Sequence, residues 1–175
     1  MEQKKVFKPD KEILRQIQLD NETINLSVIN RLRVAGRVEY LPYLITLART
    51  TSYETVGSAV FKLLDDLKVK KAVPYLIEAI RDEKDKAILQ KLVEACWQNG
   101  LSYEQYLPVF TDLLIHESDE ISLEAFTVIE NMQYKPDTLI VSKEIEKIRK
   151  YLPGAEERRK YFLNEAIKIL YEIPE

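Results

Sequence analysis

The segment Tyr40-Leu41-Pro42-Tyr43-Leu44-Ile45 returns as Ala72-Val73-Pro74-Tyr75-Leu76-Ile77 and, more loosely, as Tyr106-Leu107-Pro108-Val109-Phe110. Pro42 and Pro74 are 32 residues apart, and Pro74 and Pro108 are 34 apart. The stretches between them align as well: Asn21-Glu22-Thr23-Ile24 falls on Tyr53-Glu54-Thr55-Val56, and Val28-Ile29 falls on Val60-Phe61 and Leu92-Val93. A period of this length restricts the fold sharply. A unit of about thirty residues is one supersecondary element, which cannot bury its apolar face alone and must stack on its neighbours.

Within each unit the apolar residues recur at helical spacing, as in Ile24, Val28, Leu32 and in Val56, Val60, Leu64, and no stretch alternates with period two over the length of a strand. The pattern predicts ten helices in five pairs: 10–17 with 21–35, 38–50 with 53–67, 70–82 with 85–99, 103–116 with 119–132, and 138–151 with 156–171. The aligned prolines fall near the start of the first helix of a pair, where a missing N–H costs nothing. Thr51 to Glu54 and Ser102 to Gln105 fit the capping box, in which a hydroxyl and an acid or amide three residues on satisfy free backbone N–H groups. Pro153-Gly154 breaks the last pair. Residues 138–175 are expected to be irregular capping helices, with Phe162, Ala166, Ile169 and Ile173 on the packing side, and residues 1–8 a flexible tail of a single domain spanning 1–175.

In period, early proline and apolar pattern, residues 38–132 resemble HEAT repeats, in particular the short variety of phycobilisome-lyase-like proteins. Asp82 and Asp85 correspond to that family's turn aspartate, whereas the arginine usual early in the second helix is absent near Leu89 and Gln90. The resemblance implies an all-α fold, a right-handed α-solenoid of about five helical hairpins. Its usual role is scaffolding or protein binding, with the second helices lining the concave side.

Composition agrees with a helix-rich globular chain: 46% hydrophobic and 31% charged residues, with four glycines. The net charge of −3 is unevenly spread. Residues 1–50 hold nine Lys/Arg against six Asp/Glu, a balance of +3, and residues 101–150 hold five against ten, a balance of −5. Met1 to Pro9 contains no apolar run suited to a signal peptide or membrane span, so the expected setting is cytoplasmic without membrane contact. Cys96, the only cysteine, excludes an intramolecular disulfide and a thiolate metal cage within one chain.

Few residues point to chemistry. Cys96 aligns with Leu32 and Leu64 in the apolar stripe and reads as a small core residue with no neighbouring cation to lower its pKa. His116, the only histidine, ends a first helix beside Glu117 and Asp119, where a favourable dipole contact is the ordinary role and a metal site the special one. No phosphate-cradling, nucleophile-elbow or metalloprotease motif is present, and the sequence calls for no cofactor. Arg31, Arg33 and Arg37 form a short basic cluster that reads as a solvated face, and the acidic pI near 5.5 argues against a phosphate-tracking surface. The expectation is therefore a non-enzymatic scaffold or adaptor for a protein or peptide, with no nucleic-acid partner. The alternative is a helical-repeat enzyme or a nucleic-acid-processing protein.

Trp97, the only tryptophan, marks the candidate binding face. It occupies the repeat column of Arg33 and Asp65. One turn earlier the same side carries Asn30, Lys62 and Glu94, and a further turn back Ser58 and Gln90. Ser58, Lys62, Asp65, Gln90, Glu94 and Trp97 thus form a largely polar stripe with one aromatic anchor, and exposed aromatics of this kind dominate interface energies. The other arrangement open to Trp97 is local packing beneath the Gly100-Leu101 turn or Tyr103, made possible by the two extra residues before Pro108.

Overall fold

The computed structural model describes residues 7–173, and all regular structure among them is helical. Ten α-helices follow in order: α1 (Lys11–Gln18), α2 (Glu22–Ala35), α3 (Leu41–Thr50), α4 (Glu54–Asp65), α5 (Val73–Asp82), α6 (Lys86–Asn99), α7 (Leu107–His116), α8 (Asp119–Glu130), α9 (Thr138–Tyr151) and α10 (Glu157–Glu172). Each odd helix packs on the even helix that follows it, and each even helix packs on the next even helix. Most of the expected tail, residues 1–6, lies outside the described residues.

Single 3-10 turns, Val38–Tyr40, Lys70–Ala72 and Glu104–Tyr106, precede α3, α5 and α7, so these helices start about three residues later than the periodicity predicts. Pro42, Pro74 and Pro108 then stand in the first turn of their helices, as expected. The two capping boxes do not form. Helix α4 begins at Glu54 with no side-chain cap, and the Thr51 hydroxyl accepts instead from Tyr53 N–H at 3.2 Å within the turn. Ser102 bonds to the Glu104 side chain, ahead of a 3-10 turn and not of an α-helix. Side-chain caps are made by Asp10, Asn21, Asp85, Ser118 and Asp137, short polar groups that reach the first free N–H groups of a helix. Gly36 and Gly100 close α2 and α6 at φ of 60° and 65°, the left-handed conformation that stops a helix without a Cβ clash.

The core runs continuously from Ile17 to Ile173. Its columns are those of the repeat: Val28, Val60 and Leu92 are buried, as are Leu32, Leu64 and Cys96. In α2, α4 and α8 the fourth residue meets the odd partner near its end. Asn25 Nδ2 donates to the carbonyls of Gln16 and Ile17 at 2.9 and 3.3 Å, and the Ser122 hydroxyl lies within 3.1 Å of the Leu114 carbonyl. At the same position Gly57 lies beside α3, where an added Cβ would stand in ordinary contact with the Ala48 carbonyl at 3.9 Å. On α10 the buried stripe centres on Leu163, Ala166 and Leu170. Phe162 and Ile169, placed in it by sequence, are only partly buried, because α10 is rotated to face both α8 and α9.

Polar ties link successive pairs. Glu83, nearly buried after α5, accepts from the backbone N–H groups of Lys84 and Asp85 at 2.9 and 3.0 Å and from Arg49 of α3 at 2.6 Å. Burial alone would raise the Glu83 carboxyl, but those N–H groups and the guanidinium outweigh it and hold it below its ordinary value. A second tie joins Thr111 of α7 to Glu144 of α9, with Lys147 bridging Glu144 and Asp112.

Glu83→Ala strands two turn N–H groups and one arginine and is expected to cost about 2–3 kcal/mol, whereas Glu83→Gln keeps the acceptor and costs less than half of that. A depressed folded pKa means that the unfolded chain binds the proton more tightly. The carboxylate's contribution is therefore complete above the unfolded value near 4.5 and is lost as pH falls through the lower folded value. Urea melts between pH 7 and 3 should show a smaller acid loss for Glu83→Gln than for wild type, and equal slopes would remove Glu83 from the acid response.

Candidate functional site

The stripe read from sequence lies on α4 and α6, which pack side by side and so bring its residues together. Ser58 and Lys62 are exposed, whereas Asp65, Gln90, Glu94 and Trp97 are partly buried. The groups are largely engaged with their neighbours. Lys62 Nζ pairs with Asp66 Oδ1 at 3.1 Å, and Lys91 Nζ pairs with Glu94 Oε2 at 2.7 Å. The Trp97 indole N–H donates to Glu124 Oε2 of α8 at 2.7 Å. The site therefore spans three helices rather than two, and its acids come from each of them.

Asp65 has no ion pair within 4.0 Å among the described residues. Burial and the nearby Glu94 carboxylate raise its pKa, with Lys62 and Lys91 opposing them. A carboxylate that is both partly desolvated and repelled sits in a worse place folded than unfolded. It carries a small penalty at neutral pH.

Trp97 is partly buried. A void of about 20 Å³ bordered by Trp97, Gly100, Leu101, Tyr103, Val128 and Met132 places the turn and α8 beside it. Tyr103 itself is core: it packs edge-on to Phe110 with ring centroids 5.7 Å apart and exchanges hydrogen bonds with Asn99.

Three residues that complete the site escaped the sequence reading. Asp66 and Lys91 neighbour the chosen columns, and their pairing partners follow from helical i,i+4 and i,i+3 spacing. Glu124 carried no such signal. It lies 27 residues from Trp97 and so falls outside the Trp97 column of the repeat.

The remaining candidates have settled places. Cys96 is buried, with its thiol pushed up to about 12 by desolvation against a weaker opposing bond from Tyr103. His116 is exposed at the end of α7, edge-on to Tyr151. Among the described residues no group of three His, Cys, Asp or Glu is arranged to hold a metal ion, and no helix is long and apolar enough to cross a membrane. The arginines do not act as one cluster: Arg31 reaches Gln16, Arg33 faces Asp66, and Arg37 lies beside Glu39 and over the Tyr40 ring. No protein-family model matches the sequence, and no curated protein matches it significantly.

Two outcomes test this geometry. Because the folded pKa of Asp65 is raised, ionised Asp65 disfavours the fold above that value. Asp65→Asn should therefore raise stability slightly at pH 7, by about 0.5 kcal/mol or less, and the gain should vanish below the ordinary value of 3.8. A loss of stability at pH 7 would contradict the repulsion. Cys96 should resist a bulky thiol reagent in the native protein and react fully in denaturant, and rapid native labelling would contradict its burial.

Proposed function

We propose that the chain is a non-enzymatic scaffold or adaptor, a HEAT-like α-solenoid with the right-handed superhelix that the resemblance implies, binding a protein or peptide along its even-helix face. The observation that carries this reading is Trp97, left partly open to solvent in a stripe that is otherwise polar and held in one orientation by Glu124. A large aromatic fixed by a hydrogen bond loses little entropy on binding, which suits an interface anchor.

Packing supports the choice of face. The even helices α4, α6 and α8 pack closely in sequence, whereas clefts of about 400 Å³ and 550 Å³ lie between α1 and α3 and between α5 and α7. A row that is tight on one side and splayed on the other curves toward the tight side. The even row is then the inner, concave one, and it offers an extended surface along α4, α6 and α8.

Trp97→Ala is expected to lower stability by about 1–2 kcal/mol, below the roughly 3–5 kcal/mol of a fully buried tryptophan, and to leave the helical spectrum unchanged. Acrylamide should quench the wild-type indole to an intermediate degree. Tagged wild-type and Trp97→Ala proteins, recovered from the native cell and compared by quantitative mass spectrometry, should differ by about tenfold or more in at least one partner. An identical set of recovered proteins would sink this assignment of the face.

A further inference from the structure

A second surface lies at the other end of the charge gradient, where the C-terminal ends of α2 and α4 meet the start of α3. A cleft of about 200 Å³ opens there. Its walls are Leu32, Leu41 and Leu63, with Leu67 and Val69 at the mouth. Cations surround it. Arg33, Arg37 and Lys68 line the cleft, the Lys68 ammonium also donating to the Asn99 carbonyl at 2.9 Å, and Lys70 and Lys71 follow on the 3-10 turn that touches Val38–Tyr40. All five are exposed. Against them stand Asp66, 4.0 Å from Arg33, and Glu39, 3.5 Å from Arg37. Lys70 and Lys71 have no ion pair among the described residues. Two acids thus oppose five bases at one edge of a chain whose net charge is −3.

The aliphatic residues beside the cations are equally out of balance. Val34 is 83% exposed and Val69 is 39% exposed, both next to this rim. Arg37 is held in place over the Phe7 and Tyr40 rings at 5.7 and 5.3 Å, so its charge is presented at a set position and not on a free chain.

We propose that this cleft docks an acidic protein segment that inserts one large apolar side chain between α2 and α4 while its flanking carboxylates meet the arginine and lysine rim. Size and charge together select this occupant. The cleft is smaller than the roughly 300–1,000 Å³ of a small-molecule site, but matches a single Leu, Ile or Phe anchor. Nucleic acid has the negative charge without a protruding aliphatic group, and the rim holds too few cations in line to track a phosphate backbone. The cleft adjoins the Trp97 face through Asp66, but Trp97 itself does not line it.

The test is selection of a random 12-residue peptide library on the full-length protein, followed by anisotropy titration of a synthesised winner. Folding of each variant is checked by circular dichroism. Wild type is expected to enrich peptides with one large apolar residue flanked by Asp or Glu. Arg37→Glu combined with Lys68→Glu, and separately Val69→Glu, should weaken the winner at least tenfold, as should alanine at the peptide's apolar position. Trp97→Ala should leave its affinity unchanged, which separates this surface from the even-helix face. The proposal is overturned by failure to enrich, by enrichment of basic or uncharged peptides, or by equal binding to the rim variants. It is also overturned if a polyglutamate or a single-stranded oligonucleotide binds as tightly as the winner. Self-association of the wild type that the rim variants abolish would make a second copy of the chain the occupant and overturn the choice of an acidic segment from another protein.

Discussion

The structure depends on the burial of the even helices against one another. Val28, Val60 and Leu92 are no more than 1% exposed, and so are Leu64 and Cys96, because their helices pack both on an odd partner and on a neighbouring even helix. A single hairpin could cover only part of such a stripe. Removing one of these side chains would cost about 2–5 kcal/mol, a large share of the stability of a domain this size, and the cost would be felt in two neighbouring pairs. Cooperation between units therefore comes from a geometric requirement: the stripes must be in register.

Registration has a second effect, on the residues just outside the stripe. Once the apolar faces are aligned, side chains one position around each helix are carried into rows across helices. Asp65, Glu94 and Glu124 gather around Trp97 in this way, and Arg33 is brought to face Asp66. The same alignment sets the fourth residue of α2, α4 and α8 against its odd partner, where Asn25 and Ser122 bond to carbonyls near the partner's end and Gly57 lies beside that of Ala48. Charge follows the chain order: cations concentrate at the edge formed by α2 and α4, and acids at the face of α6 and α8.

Much of this was legible in the sequence for a physical reason. Helical spacing, the proline in each first turn and the core columns at Leu32, Leu64 and Cys96 are local or strictly periodic signals, which survive whatever the rest of the chain does. The capping boxes misled because a hydroxyl three residues before an acid also suits a tight turn, and here a 3-10 segment or an ST turn took the backbone instead. On α10 and its C-cap, Ala166 and Ile173 are buried as read, but Phe162 and Ile169 fell beside the buried stripe because that helix answers to two neighbours at once, and a one-dimensional pattern cannot weigh them. Of the candidate face, the columns were legible and the partners partly so: helical spacing leads to Asp66 and Lys91, but nothing periodic leads to Glu124.

The sequence by itself determined the ten helices, their pairing and the apolar columns, since each of these follows from interactions within a few turns or from a repeat that copies them. Only the tertiary structure decided how far Trp97 is covered, that Glu124 holds it, that Glu83 joins α3 to the turn after α5, and that the three arginines part company. Those outcomes turn on distances between groups some 25 to 35 residues apart, which no pattern within one helix can set. Periodicity sets where a residue lies on its own helix; packing sets what stands opposite it.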